Sequence, residues 1–236
     1  MEDDNIIDKA KIQADSTWKG IYKLGGLCMA AFGLIYIIAT ILNFTIAIPP
    51  SDSVAFLNSL ANHATLARFI YGLYTLAAFL LLIATMALYL SLKQINKNAM
   101  LVAAGFLFMF VILDLTLTEF NSLTLITLTQ HYATATIDAQ RLAYMAAMDY
   151  ALATIPLATF YSWIVGSLGF LIASVVMLKS IYGKDIAYYG IIINILGIIG
   201  GFYIIIPILT ISLTPILILW GIWLILIGLR LYKISS

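Results

Sequence analysis

Apolar residues run along this chain in long uninterrupted stretches, separated by short clusters of charge. No formal charge lies between Lys23 and Asp52, between Arg68 and Lys93, between Asp149 and Lys179, or between Asp185 and Arg230. About 20 apolar residues in a helix cross the hydrocarbon core of a bilayer. The last stretch is long enough for two crossings, with a turn near Pro207 to Pro215. A further helix fits after Asn98, although Asp114 and Glu119 interrupt its apolar pattern. The pattern therefore predicts helices at 21–48, 65–92, 99–129, 149–179, 187–207 and 210–232. The expected fold class is all-α, a polytopic membrane helix bundle with six transmembrane helices.

The charges between these stretches sort by side. An even number of crossings puts both termini on one side, together with the short hairpins Lys93–Lys97 and Lys179–Asp185. That side then holds every Lys and Arg except Arg68 and Arg141. Short basic loops stay in the cytoplasm. Both termini are accordingly expected to be cytoplasmic, with the chain in a cell (inner or plasma) membrane.

Residues 1–20 form a separate cytoplasmic segment, and 21–236 the six-span domain. In the first segment Ile6, Ile7, Ala10 and Ala14 share a helical face. It reads as an interfacial helix anchored by Trp18 or as a frayed tail. Outer segments are expected near 49–64 and 130–148. Pro49-Pro50 stops helix one, and Ser51 or Asp52 can cap a short surface helix after it. Asp138 is a good N-cap for the helix-forming run that follows. Counted back from Lys179 at about 1.5 Å per residue, Asp149 lies beyond the hydrocarbon core. Helix four should therefore project outward with a kink at Pro156, and helix three, prolonged to Thr129, beside it. Leu92-Lys-Gln-Ile and Leu178-Lys-Ser-Ile echo one another before helices three and five, as either a duplicated hairpin or coincidence.

Composition agrees with this picture and narrows the chemistry. The chain is 63% hydrophobic and 10% charged, and its net charge of +1 suggests no nucleic-acid partner. Two His and one Cys are too few for a multi-ligand metal site, a disulfide framework or a CxxC pair. Cys28, in the first span, reads as packing. His63 and His131 fall outside the hydrocarbon, unlike the paired imidazoles of a membrane haem. A metal held by both together with outer carboxylates is the alternative. No HExxH, GxSxG or Gly-rich phosphate loop occurs, so no cofactor, metal or catalytic residue is assigned.

Asp114 is the acid placed inside the bilayer, about 24 Å along helix three from Asn98. An ionised carboxylate there must face the bundle, a water-filled cavity or a cationic partner. Thr118 and Asn121, at i+4 and i+7, extend its face into a polar stripe that opens outward. The three form a candidate ligand or proton site; the alternative is a structural tie to a neighbouring hydroxyl or Asn. Glu119 and Arg68 fall at similar depth near the outer interface and are expected to pair, fastening helices two and three. Small residues predict close packing of helices four and five. These are the stripe Ser162, Gly166, Gly169 and Ala173 and the GxxxG pair Gly197 and Gly201, with Asn194 placed to hydrogen-bond across the contact.

Three stretches carry a family resemblance. Ala55-Phe-Leu-Asn-Ser-Leu-Ala-Asn-His-Ala precedes helix two, Ala87-Leu-Tyr-Leu-Ser-Leu-Lys ends it, and Gly169 to Ser180 leads to a Gly-bearing fifth helix. Together they resemble an uncharacterised prokaryotic multi-pass integral-membrane family catalogued only as a domain of unknown function. The resemblance covers nearly the whole chain, implies a six-span inner-membrane protein and supplies no catalytic residue. Members often have a Gly late in helix four and a Pro in the next loop, where Ser174 and Lys184 stand here.

Three functions follow as expectations, the third a membrane enzyme acting on lipids that would need Glu119, Asp149 and a His around one cavity. The first is non-enzymatic binding or transport of a small ligand, lipid or cation through an outward-opening cavity near Asp114. The second is an accessory or scaffold subunit that docks other membrane proteins through its Ile-rich lipid face and GxxxG surface. The partners are then the lipid bilayer and either other membrane proteins or a second copy of the chain.

Overall fold

The structure, a computed structural model, describes residues 16–44 and 59–234. The N-terminal amphipathic run, the Pro49-Pro50 stop and the Ser51 or Asp52 cap lie outside them. Six helices carry the fold: α1 (Lys19–Phe44), α2 (Ala64–Leu92), α3 (Lys97–Thr134), α4 (Asp138–Met177), α5 (Lys184–Gly201) and α6 (Thr210–Ile234). Each contains a span long and apolar enough to cross a membrane. Two 3₁₀ turns, Phe202–Ile204 and Pro207–Leu209, join α5 to α6, and no strand occurs among the described residues.

Local chemistry sets the ends of these helices. The Asn96 side chain accepts a hydrogen bond from the Ala99 amide at 3.0 Å and so starts α3. Gly183 turns the chain into α5 at φ 94°, a backbone conformation that only glycine adopts freely. At α4 the expected cap is displaced by one residue. Ile137 holds the N-cap position, and Asp138 sits in the first turn, where its charge meets the helix dipole.

The helices α3 and α4 have 38 and 40 residues, about 57 and 60 Å at 1.5 Å per residue. The hydrocarbon core is about 30 Å thick. The two therefore project well beyond a bilayer as an antiparallel pair, and α4 runs unbroken through Pro156. The projection is at the end opposite Lys19, Lys93, Lys97, Lys179, Lys184 and Lys233. These two ends are the far end and the basic end below.

Each helix packs against its neighbours in sequence, and α6 packs back onto α1 to close a ring of six. The closing seam is backbone against backbone. A Cβ on Gly33 would come 2.5 Å from the Gly221 carbonyl oxygen, and one on Gly228 would come 2.6 Å from the Gly26 carbonyl oxygen. Small residues permit such approach between membrane helices. Aromatic side chains fill the ring's axis. Phe32, Tyr36 and Phe170 meet the Trp220 ring edge-on at 5.3–5.5 Å, a preferred aromatic geometry. The loop between α4 and α5 tucks under the basic end, where buried Tyr182 shares a 2.8 Å hydrogen bond with Ser91.

The small residues of α4 and α5 divide their work differently from the expectation. A Cβ on Gly166 would strike Phe110, and one on Gly169 would strike Leu107, so this part of the stripe admits α3, not α5. Gly197 and Gly201 do face α4, against Ser167 and Ile164. The GxxxG pair is thus consumed inside the bundle, which removes it as an external docking surface. Ser162 and Ala173 are fully buried. Asn194 is buried too, but it accepts from the Trp220 indole at 3.3 Å and so ties α5 to α6 rather than to α4.

Gly33→Val should cost about 3 kcal/mol or more, since the valine would overlap backbone that cannot yield. Gly105 has open space around its missing Cβ, so Gly105→Ala should gain about 0.5–1 kcal/mol from the helix-propensity difference. Unfolding of both variants by sodium dodecyl sulfate in mixed micelles checks the pair. Equal stabilities would show that the α1–α6 seam does not hold the ring.

Candidate functional site

Two apolar clusters fill the bundle, one toward the basic end and one at the far end. The first includes Phe32, Leu81, Phe110 and Trp223, and the second includes Ala39, Ala67, Leu125 and Met148. Along α1, α2 and α3 the boundary between them is polar. It consists of Tyr36 and Thr40, of Tyr71 and Tyr74, and of Asp114, Glu119 and Ser122. Asp114 and Glu119 are 7% and 5% exposed. Two carboxyl groups held this deeply in an apolar bundle make the layer the most demanding place in the molecule.

The backbone of α3 brings these two acids together. In a regular α-helix residues five apart point about 140° away from each other. Asp114–Glu119 is instead a π-helical turn, wider than the α-helix on either side. The Phe120 amide, just past it, donates to the carbonyl of Leu115, five residues back. In such a turn i and i+5 lie one above the other. Both acids therefore face α1 and α2. Side chains around the turn occupy carbonyls of the helix. Thr116 donates to Ile112, Asn121 to Leu117 and Ser122 to Thr118, at 2.6–2.7 Å. Polar side chains that bond to backbone in this way offer an alternative to the regular ladder.

Opposite the turn, Thr40 and Tyr74 hydroxyls are hydrogen-bonded at 3.3 Å, and Tyr71 reaches the Ser122 hydroxyl. Tyr36 packs edge-on against Tyr74, with ring centroids 5.1 Å apart. Asp114 and Glu119 lie within electrostatic range of each other and of Tyr36 and Tyr74. Glu119 Oε2 and Thr118 Oγ1 are buried without a hydrogen-bond partner among the described residues. Tyr36 also borders an axial cavity of ≈ 10 Å³ with Phe110, Ser167 and Trp220, about the room one water needs.

This geometry revises the expected site. Asp114 is buried in the bundle, and Asn121 is not on its face. Asn121 lines a separate surface groove of ≈ 200 Å³ between α3 and α4, beside Tyr150, Thr154 and Tyr161. The reason is the π turn, which breaks the i, i+4, i+7 register on which the stripe was drawn. The Arg68–Glu119 pair is not made either. Arg68 donates to the side-chain oxygen of Gln130, which lies about 16 Å farther along α3 than Glu119. Sequence reasoning passed over Tyr36, Thr40, Tyr71, Tyr74 and Ser122. The available signal was hydroxyl residues at i, i+3 or i+4 in otherwise aliphatic helices.

Among the described residues no group of three or more His, Cys, Asp or Glu could hold a metal ion. His131 stacks on Tyr144 with centroids 5.7 Å apart, and His63 Nδ1 contacts the Ser59 carbonyl at 2.9 Å. Asp138 and Asp149 are exposed, and Arg141 donates to the Ala135 carbonyl at 3.1 Å. No family model, no curated protein and no solved structure matches the chain.

If the acids were structural ties, removing their charge would weaken the bundle by about 1–3 kcal/mol. With no cationic partner to lose, Asp114→Asn and Glu119→Gln should instead be at least as stable as the native protein. Thermal unfolding in detergent, followed by circular dichroism, decides between the two.

Proposed function

We propose that the protein is a non-enzymatic binding or transport protein whose site is the Asp114–Glu119 pair, and that it takes a proton or a small cation. The observation that carries this reading is a pair of buried carboxyl groups on one π-helical turn, with no cationic side chain against them among the described contacts. Bringing two like charges together in a low-dielectric interior is strongly unfavourable unless a proton or a cation is shared between them. The surrounding hydroxyls of Thr40, Tyr36, Tyr71 and Tyr74 supply oxygen atoms that a cation or a hydronium can use. Hard cations favour such ligands.

Packed side chains flank the site on both sides. The Trp220 aromatic cluster fills the axis toward the basic end, and the second apolar cluster covers the far end. Transfer across the membrane would therefore require the packing on one side to open. The π turn is a natural place for that change, since π turns are rare and concentrate at functional sites. Loading the pair neutralises its repulsion and favours the closed packing, and unloading favours an opened one. The lysine-rich end is assigned to the cytoplasm of a cell membrane by the distribution of Lys and Arg.

An accessory-subunit function is the second reading. At and just before the projecting start of α4, Ile137, Leu142, Met145 and Tyr150 are exposed apolar side chains outside the span of a bilayer.

Reconstitution into liposomes tests the first reading. An imposed pH, Na⁺ or K⁺ gradient is followed with a dye enclosed in the vesicles. The native protein should dissipate at least one of the three gradients, and Asp114→Asn with Glu119→Gln should slow that flux at least tenfold. Flux unchanged in the double variant, or no flux of any of the three ions, would overturn it. Single-cysteine variants at Lys97 and Gln130 give the orientation. A membrane-impermeant thiol reagent added to intact cells should label only the second.

A further inference from the structure

The outer surface of the bundle carries a groove of ≈ 360 Å³ where α1, α2 and α3 meet near the basic end. Trp18, Met86, Tyr89, Leu101, Ala104 and Phe108 line it. Met86 and Leu101 are 57% and 61% exposed, so the groove opens on the face that the bilayer covers. Its walls follow helical rows. On α2, Met86 and Tyr89 or Leu90 lead to Lys93, and on α3, Phe108, Ala104 and Leu101 lead to Lys97, at spacings of three or four residues. Both rows therefore lead to a lysine of the same hairpin.

The axial length from Lys97 to Phe108 is about 16 Å, half the thickness of a bilayer's hydrocarbon core. That is the reach of one acyl chain in one leaflet. At its open end Lys93 Nζ sits 5.4 Å from the centroid of the Trp18 ring, a cation–π contact that holds the ammonium at the rim. Lys97, four residues on in the same hairpin, is exposed.

We infer that this groove is a binding site for an anionic phospholipid of the leaflet at the basic end, with one acyl chain along α2 and α3 and the phosphate between Lys93 and Lys97. The acyl chain by itself gives little selectivity, because lipid tails are as apolar as the surface they cover. Selectivity comes from the two ammonium groups. Each lysine near an anionic lipid surface favours it about fivefold, and two together about 25-fold. The site is independent of the Asp114–Glu119 pair, whose members lie about 26 and 33 Å along α3 from Lys97.

Native mass spectrometry of the full chain provides the test, with the protein released from nanodiscs that contain equal amounts of phosphatidylglycerol and phosphatidylcholine with identical acyl chains. The native protein should retain one phosphatidylglycerol in about 25-fold preference. Lys93→Gln with Lys97→Gln should bring the preference close to one, and Lys179→Gln, a lysine at the same end but away from the groove, should keep it. Ala104→Leu, which narrows the groove, should lower retention of the lipid severalfold at unchanged lysine content. Equal retention of the two lipids by the native protein would overturn the site. So would an equal loss in the Lys179 variant, which would reduce the effect to general surface charge. Retention untouched by Ala104→Leu would show adsorption of the headgroup alone and would also overturn it.

Discussion

The α1–α6 seam holds this bundle in its shape, because it is the contact that chain connectivity does not supply. Short hairpins place α2 beside α3 and α4 beside α5 almost automatically. Nothing local brings the first helix to the last. In lipid there is no hydrophobic drive to do so, and association relies on close van der Waals packing. Gly26 and Gly33 on α1 and Gly221 and Gly228 on α6 meet that requirement by letting two backbones touch. Once the ring is closed its axis must be filled. Trp220, on the same helix as Gly221, stands at the centre of the aromatic cluster that fills it.

That closure makes the polar layer significant. A bundle whose axis is packed with aromatic rings toward the basic end leaves Asp114 and Glu119 buried. Their surroundings are hydroxyls contributed by α1, α2 and α3, together with each other. The protein could have avoided this arrangement with an unbroken α-helix, which would have turned one acid away from the bundle. It has instead a π turn that faces both inward, supported by side-chain bonds from Thr116, Asn121 and Ser122. A local departure from regular helix that increases the electrostatic demand of the interior argues for a use of the two charges.

Much of the architecture could be read from the hydropathy of the chain. Helices two and six start and stop within two residues of the expected positions. However, α4 begins at Asp138 instead of Asp149, α3 runs on to Thr134 and α5 ends at Gly201. The expected end of helix one lies outside the described residues. The projection of α3 and α4 followed from counting residues against bilayer thickness. The site was legible in part. Asp114 stood out because an acid in an apolar run is costly, and Glu119 was noticed beside it. Their relation was lost, as periodicity arguments assume one helical pitch throughout and the π turn changes the pitch at this point. Arg68 was assigned to the wrong partner for a related reason. Depth read from hydropathy gave no measure of where along α3 the Arg68 side chain would land, and its partner Gln130 lies about three turns beyond Glu119.

The spacing of glycines shows where the division falls. Gly26 with Gly33 and Gly221 with Gly228 repeat at seven residues, a regularity visible in the sequence. Gly20, Gly72 and Gly105 look no different there, yet a side chain on any of them would meet nothing within 4 Å. The sequence by itself determined which segments are long and apolar enough to cross a membrane and which ends carry the lysines, because these depend on local composition and on the thickness of a bilayer. Only the tertiary structure decided which faces meet, which glycines are in contact and that Asp114 and Glu119 share one side. Those outcomes depend on how neighbouring helices rotate and where one of them widens, and the apolar surfaces of such helices are too alike to specify either from hydropathy.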